Sequence, residues 1–190
     1  MIAFVQPLFA FNHALRLDVE VKPKNRYLNF IVSPEYYTGY VYDKGFTSAS
    51  ENLRSDKLRG AGIGVSHKIE FNKKNDRPYL SYGFMYRNIK INYEDEGFLP
   101  YKQNGLDYYE YNNFSDRLKI NSVLLNACIG SQTRTFESFI LDVYMGMGYK
   151  ISSKKSSFPD KREYNQEPLS YAYNGFSFLV GLKAGYKIKK

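Results

Sequence analysis

The sequence lacks most of the residues on which metal sites and disulfide scaffolds depend. In 190 residues it has no tryptophan, a single cysteine, Cys128, and two histidines, His13 and His67. One cysteine excludes an internal disulfide framework and a cysteine-rich metal site. Two histidines argue against a zinc site built on imidazole ligands. We therefore expect no metal and no cofactor.

The sequence also has no long apolar run, and this excludes a helical membrane protein. No segment approaches the ~18 consecutive apolar residues that a transmembrane helix needs, and the mean hydropathy is −0.50. Hydrophobic residues still make up 43% of the chain and aromatic residues 17%, with 19 Tyr and 14 Phe. Such a composition opposes intrinsic disorder. The length predicts one domain, residues 1–190.

The charge is basic without being concentrated. There are 27 Lys and Arg against 19 Asp and Glu, a net charge of +8. Nucleic-acid-binding proteins usually gather their positive charge in one patch or stripe. Because the charge here is spread along the chain, we expect no nucleic-acid partner.

Apolar and polar residues alternate with a period of two, which predicts β-strands throughout. The alternation is plain around residues 15–21, 28–33, 60–71, 80–86, 123–129, 139–149 and 176–188, and residues 2–9 give a weaker eighth strand. After Tyr86 the phase slips, and Ile89 and Ile91 become the apolar positions, which predicts a β-bulge. Pro34 cannot donate a ladder hydrogen bond, so we expect a bulge or the end of the membrane section near it.

The connections between these strands alternate in length. Residues 22–25, 72–77 and 131–134 are predicted short turns, whereas residues 43–55, 94–116 and 152–174 are predicted long loops. An even strand number with short turns at one end and long loops at the other is typical of outer-membrane barrels. We therefore predict an all-β fold: an eight-stranded antiparallel up-and-down transmembrane β-barrel with short periplasmic turns and long external loops.

Alternation alone leaves open which face points inward. A soluble lipocalin-like barrel would turn its apolar face inward, and a transmembrane barrel would turn it outward. Glycines 60, 62, 64, 83, 146, 148, 181 and 185 all fall on the polar face. Glycine relieves crowding in the narrow lumen of eight strands, which favours the transmembrane barrel. Buried charges must be paired, and the polar face predicts a lumen charge network of Arg16, Asp18, Glu20, Lys68, Glu70, Arg87, Asp142 and Lys183. Cys128 is expected to face the same lumen as an inert small residue.

These features resemble the small outer-membrane β-barrels of the OmpA/OmpX type, and especially the uncharacterised barrels abundant in Bacteroidetes. The resemblance is carried by the strand–turn–strand over residues 15–42, the glycine-alternating strand 60–65, the start at 78–83 and the closing strand 181–188. It implies a cleaved signal peptide, outside the given chain, insertion in the bacterial outer membrane, and no agreed activity. Many such barrels end in an aromatic residue, whereas this chain ends Ile188-Lys189-Lys190.

Residues 94–116 are the most distinctive connection because they combine acidic and aromatic residues. Tyrosine offers rigid, amphipathic contact area, so a partner-binding surface is predicted at Tyr101, Tyr108, Tyr109, Tyr111 and Phe114. The alternative is a segment that folds on its own aromatics or extends the barrel wall above the membrane.

Three functions fit the sequence. The first is a non-catalytic barrel, either a structural or accessory subunit of an outer-membrane complex or a surface-binding barrel. The second is a lipid-A-modifying enzyme that uses His13, which lies near the external end, whereas His67 falls on the lipid face. The third is a soluble ligand-binding barrel. Expected partners are the lipid bilayer, lipopolysaccharide and other outer-membrane proteins. Basic residues in 152–174 are either phosphate contacts or a solvated loop.

Overall fold

The computed structural model describes residues 1–22, 29–41, 56–71, 76–135, 138–158 and 163–188. Eight antiparallel strands each pair with the next, and β8 pairs with β1 to close a barrel. This confirms the predicted fold class. The elements are β1 (Ile2–Val5), a 3-10 turn (Pro7–Asn12), β2 (Ala14–Val21), β3 (Asn29–Val41), β4 (Asp56–Glu70), β5 (Asp76–Gln103), β6 (Leu106–Arg134), β7 (Phe139–Lys155) and β8 (Gly175–Lys187). No helix among the described residues is long and apolar enough to cross a membrane.

The charged side chains point inward and the apolar ones outward over most of the barrel. Asp18 and Lys68 are fully buried, whereas Phe178 is 83% exposed. A soluble ligand-binding barrel would require the reverse arrangement. The eight glycines predicted on the polar face all occupy inward positions. At Gly181 and Gly185 an added Cβ would overlap the rings of Tyr144 and Phe4, so glycine lets these rings lie across the lumen.

The outward residues form rows because the register from β4 to β7 is continuous. Ile63, Tyr86, Val123 and Ile151 are successive partners, as are Val65, Phe84, Leu125 and Tyr149. On β4 the apolar rows run from Ile63 to Phe71, about 26 Å along the strand. After strand tilt this is about 20 Å in height, close to the ~25 Å apolar band of outer-membrane barrels.

The prediction of a β-bulge after Tyr86 is wrong. β5 keeps an unbroken register with β4 and β6 through this region. Ile89 and Ile91 instead point inward, into a buried apolar cluster with Leu58, Leu118 and Ile120. The pattern shifts because the interior itself becomes apolar above this level.

Pro34 interrupts one ladder without ending the strand or shifting its register. It pairs with Ile63 of β4 in a continuous run from Asn29 to Val41. On the β2 side the pairs expected at Leu17 and Asp18 are missing, but the pairs before and after keep the same register. The bulge expected at Pro34 is therefore not observed. Because proline has no N–H group, only the neighbouring pairs with β2 are lost.

Two predicted connections are strands. Residues 131–134 belong to the end of β6, and residues 94–116 belong to β5 and β6, which extend far beyond their neighbours. Asn104 and Gly105 join them with φ values of 53° and 78°. Two consecutive positive φ values define the type I′ hairpin turn, which Asn-Gly favours. The loop at 43–55 and most of the turns at 22–25 and 72–77 lie outside the described residues.

The barrel is closed by a short seam. β1 contributes four residues, which pair Ile2 with Lys187 and Val5 with Ala184 on β8. Above Ala184, residues 175–183 of β8 have no strand partner on this side among the described residues. The 3-10 turn covers the interval between β8 and β2, and Gln6 N–H bonds the Arg16 carbonyl at 3.3 Å. The wall is thus thinnest here.

Candidate functional sites: the lumen, its external closure and the hairpin

The centre of the lumen is an ion-paired network in which each carboxylate has several donors. Asp18 accepts hydrogen bonds from Arg16 Nε at 2.9 Å and Lys183 Nζ at 2.6 Å. Gln6 Nε2 donates a third at 2.6 Å. Because buried charges are tolerated only when they are paired and hydrogen-bonded, this arrangement lets alternating charged residues occupy the interior.

A second carboxylate, Glu35, joins the two arginines of the lumen. Arg87 binds it through two nitrogens, Nε at 2.8 Å and one Nη at 3.2 Å, and Arg16 approaches it at 3.5 Å. The Tyr37 hydroxyl donates to it at 2.7 Å. Glu35 is not among the predicted lumen residues, because the alternation of this strand is traced only over residues 28–33, before Pro34.

The periplasmic half holds the remaining predicted lumen residues. Lys68 lies 3.0 Å from Glu20 and 3.2 Å from Glu70, and its ammonium sits 4.6 Å from the centre of the Tyr79 ring. Asp142 forms no ion pair with a described residue; it accepts hydrogen bonds from the Tyr79 hydroxyl at 2.7 Å and from Gln132 Nε2 at 2.9 Å. The structure thus brings all eight predicted lumen residues inward, and adds aromatic hydroxyls and amides that alternation alone does not single out.

The external mouth is closed by the β7–β8 connection. Tyr164 donates to Asp56 at 2.7 Å, and the Ala172 N–H donates to the Tyr164 carbonyl at 2.7 Å. Tyr171 donates to the Asn12 carbonyl at 3.0 Å, and burial raises the pKa of its hydroxyl to about 12. Tyr164 and Ala172 are part of the apolar cluster formed with Leu58, Ile89, Ile91, Leu118 and Ile120. A lumen filled with side chains and covered at its mouth does not form an open channel.

A cavity of about 180 Å³ runs beside the ion-paired network up to this closure, since its lining includes both Tyr79 and Tyr171. Four basic residues contribute to its lining, Arg16, Arg87, Lys150 and Lys183, and no described acidic residue does. Lys150 is buried and donates a hydrogen bond to the Ser170 carbonyl at 2.7 Å. The lining also includes Leu8, Phe178 and Val180, so the cavity extends to the thin wall between β8 and the 3-10 turn.

Above the barrel, no other described strand pairs with β5 or β6, which continue as a two-stranded hairpin. β4 pairs with β5 only up to Asn92, and β7 pairs with β6 only down to Lys119. The hairpin, residues 93–118, therefore extends about 35 Å along its strands. Phe98 and Tyr111 pair on the outward face, with Tyr109 beside them, and Tyr101 stacks on Tyr108 on the other face. Four of the five predicted partner-binding residues are exposed: Tyr101, Tyr108, Tyr109 and Tyr111.

The fifth, Phe114, belongs to the root of the hairpin. Its ring lies 4.2 Å from that of Phe158 and 6.5 Å from that of Tyr93. Beside it, Asp116 accepts from the Ser156 hydroxyl at 2.6 Å and the Tyr93 hydroxyl at 3.0 Å. Partial burial opposes ionisation, but these hydrogen bonds hold the pKa of Asp116 well below its usual range. Phe114 and Asp116 thus fix the hairpin to the mouth closure.

The two histidines occupy different surroundings. His13 ends the 3-10 turn with φ 51° and is exposed at the external end. Among the described residues, no hydroxyl or carboxylate hydrogen-bonds its ring. His67 lies on the outward face between Phe30 and Tyr82, with Nδ1 3.0 Å from the Tyr82 hydroxyl. Cys128 points into the lumen and is buried. In the described part of the chain no three His, Cys, Asp or Glu side chains gather as a metal site would require.

Comparison with known proteins supports the architecture. No model of a known protein family matches the chain, and no characterised protein matches it by sequence. Among solved structures it is similar to a major outer membrane protein from Thermus thermophilus, with a TM-score of 0.57 and 10% sequence identity. The similarity covers 98% of this chain and 97% of that one. At this identity the likeness concerns the fold: an eight-stranded barrel of the kind found in an outer membrane protein.

Proposed function

We propose that the protein is a non-catalytic outer-membrane barrel that anchors a rigid hairpin for binding another envelope protein, as an accessory subunit or a surface-binding barrel. The observation that carries the proposal is the hairpin itself. Its strands are paired without interruption from Tyr93–Asp116 to Gln103–Leu106, and aromatic residues are exposed on both faces. Exposed tyrosines on a rigid support give contact area at small entropic cost.

Two further features support placement in the outer membrane. The outward apolar rows, about 20 Å in height, come close to the ~25 Å apolar band of outer-membrane barrels, and the similar solved structure is itself an outer membrane protein. The non-catalytic assignment is supported by the ring of His13, which has no hydroxyl or carboxylate partner of the kind that activates an imidazole within the described part of the chain.

The test is a mild-detergent pull-down of tagged protein from fractionated envelopes, read by mass spectrometry. Two variants divide the hairpin by face: Phe98→Ala with Tyr109→Ala and Tyr111→Ala on one, and Tyr101→Ala with Tyr108→Ala on the other. A stoichiometric partner that is lost with one face and retained with the other supports the proposal. These side chains lie outside the barrel, so heat-modifiable migration should be unchanged in both variants.

Recovery of a partner that all hairpin variants retain would show that binding lies elsewhere. Recovery of the barrel alone from the membrane would remove the partner role. Altered lipid A that reverts in a His13→Ala variant would replace the proposal with the enzymatic alternative.

A second role is favoured by the cavity: we propose that it takes the anionic group of a lipid-like molecule entering beside the 3-10 turn. Of the four cations in the lining, Arg16, Arg87 and Lys183 are already paired with the lumen carboxylates. Lys150 forms no ion pair with a described residue, so its ammonium is the group that suits an anion. Phe178 and Val180, exposed outside the same wall, offer an apolar path for the chain of such a molecule.

Native mass spectrometry in a neutral detergent tests this role with palmitate as the probe and 1-hexadecanol as its uncharged match. We expect palmitate to be retained at concentrations at least tenfold lower, and a Lys150→Gln variant to lose most of that preference, since a hydrogen bond to a charged group is worth about 1.5–3 kcal/mol. Equal retention of the two probes would exclude the role.

A further inference from the structure

Four basic residues lie side by side across the outside of the barrel. Arg59 of β4 pairs with Lys90 of β5, Lys90 with Lys119 of β6, and Lys119 with Lys155 of β7. All four side chains are exposed and outward. Side chains directly opposite in an antiparallel sheet are about 5 Å apart at Cβ, so the basic row spans about 15 Å.

The basic row has no acidic residue within it. None of the four side chains makes an ion pair or a hydrogen bond with a described residue. One row further out are Lys57, Asn92 and Arg117, of which Arg117 donates to Asn92 at 2.8 Å. Glu94 is the nearest outward carboxylate on β5, two residues beyond Asn92. Like charges directly opposite in a sheet are destabilising, so this row carries a cost that a bound anion would relieve.

The position of the row relative to the apolar rows indicates which anion. Beyond Ile63, Tyr86, Val123 and Ile151 comes an uncharged row of Ala61, Asn88, Asn121 and Ser153, and then the basic row. Within the uncharged row Asn88 donates to Asn121 at 2.6 Å, and Tyr86 donates to the same oxygen at 3.1 Å. The outer surface therefore changes from apolar to polar to basic within four residues of each strand, in the order of acyl chain, linkage region and headgroup phosphate.

Among the described residues, the basic row is confined to one side of the barrel. At the corresponding level β3 presents Thr38, the partner of Arg59, and Tyr40, the partner of Lys57. The outward residues at the external end of β8 are Phe176 and Phe178. A ring of cations would indicate general attraction to an anionic surface, whereas one short row has the size of a single molecule bearing more than one phosphate.

We propose that the basic row on β4–β7 binds the phosphate groups of a phosphorylated lipid in the external leaflet. The guanidinium of Arg59 supplies planar paired donors, and the three lysines supply point charges, both of which bind phosphate well. The proposal rests on the membrane placement proposed above and is independent of the hairpin role and of the interior cavity.

The experiment is native mass spectrometry of the full chain in a neutral detergent, with lipid A as the bis-phosphorylated probe and dephosphorylated lipid A as its match. The variant is Arg59→Gln with Lys90→Gln and Lys119→Gln. The control removes the same charge elsewhere: Lys102→Gln at the hairpin tip with Arg134→Gln and Lys187→Gln at the opposite rim.

We expect the parent protein to retain lipid A at concentrations at least tenfold lower than the dephosphorylated form. The row variant should lose that preference at least tenfold, and the charge-matched control should stay within about twofold of the parent. A Lys90→Gln variant alone should show a smaller loss in the same direction. Inorganic phosphate at equal molarity should not displace the lipid.

Three results would overturn the proposal. Equal retention of the two lipids would exclude phosphate recognition, and an unchanged preference in the row variant would place recognition elsewhere. Displacement by equimolar inorganic phosphate would make this a site for free anions. Failure of the parent protein to insert into phosphatidylcholine vesicles would instead contradict the membrane placement, so the two failures are distinguishable.

Discussion

The lower and upper parts of β5 and β6 follow the same pleat but reverse their chemistry. In the lower part Phe84 and Leu125 point outward and are half exposed, whereas Arg87 points into the lumen. In the upper part Ile91 and Leu118 point inward and are buried, whereas Lys90 and Arg117 point outward. The register does not change between the two parts.

The medium beside a strand therefore decides which of its two faces carries the apolar side chains. Where lipid lies outside, apolar side chains face outward and the interior must satisfy its charges by pairing. Where water lies outside, the interior takes the apolar side chains, as in a soluble protein. The change occurs at Asn88 and Asn121, which we therefore place at the external membrane boundary.

The largest loss of stability is expected when an ion pair in the charged interior of the lower part is broken. Replacing Glu35 with alanine leaves Arg87 without its bidentate partner and Arg16 with one carboxylate fewer. Removing one member of a buried ion pair costs about 3–5 kcal/mol because the other charge is left buried. Urea unfolding of the protein in phospholipid vesicles measures the loss in the free energy of unfolding.

A matched control lies in the hairpin, where Lys102 and Asp107 are 3.6 Å apart and exposed. Exposed pairs contribute little, so Lys102→Ala should leave unfolding unchanged. Equal losses for Glu35→Ala and Lys102→Ala would mean that the lumen network is as hydrated as the surface.

The next effect concerns the outward face. Leu125→Lys places a charge among the apolar rows, between Phe84 and Tyr149. A lysine facing lipid near the bilayer midplane costs about 2–4 kcal/mol, and the cost should fall if the protein is studied in a thin, fluid detergent micelle. Tyr109→Lys on the same face of the hairpin should be neutral. Comparable stabilities of the two variants in vesicles would contradict the assigned membrane boundary.

The period of two predicts the strands. Charges and glycines share one face of these strands, and this predicts which face points inward. The period does not tell a strand in lipid from the same strand in water. For this reason the change of apolar face at Ile89 suggests a bulge, whereas we place the external membrane boundary there. The hairpin had a local signal, Asn104-Gly105, but aromatic and acidic residues on both faces conceal the alternation on either side of it.

Other parts of the candidate sites depend on register, which the sequence does not contain. Lys90 and Lys119 are 29 residues apart in the chain and directly opposite in the sheet. The glutamate that joins Arg16 and Arg87 follows a proline that suggests a bulge or the end of the membrane section. Such residues are found only after the strands are aligned.

A smaller effect is expected in the closure of the upper part. Tyr164→Phe removes the hydrogen bond from its hydroxyl to buried Asp56. A hydrogen bond to a charged group is worth about 1.5 kcal/mol or more. The Ala172 N–H, which bonds the Tyr164 carbonyl, should then exchange with deuterium about tenfold faster. Tyr101→Phe, an exposed ring of the hairpin, serves as the control and should leave exchange at Ala172 unchanged.

The smallest effect is a pH dependence at the root of the hairpin. Asp116 accepts the N–H groups of Ser157 and Phe158 as well as two hydroxyls, and its native pKa lies below the ordinary value of 3.8. A lowered pKa means that the carboxylate stabilises the docked closure at any pH above about 4, and that this stabilisation is lost as the pH falls below 3.8 toward the native pKa. The amide chemical shifts of Ser157 and Phe158, followed by NMR in micelles, should be constant from about pH 7 to about pH 4 and change only in stronger acid. In Asp116→Asn, which cannot titrate, that change should disappear. A transition above about pH 4, or one that persists in Asp116→Asn, would show that another group controls the docking of the closure onto the hairpin.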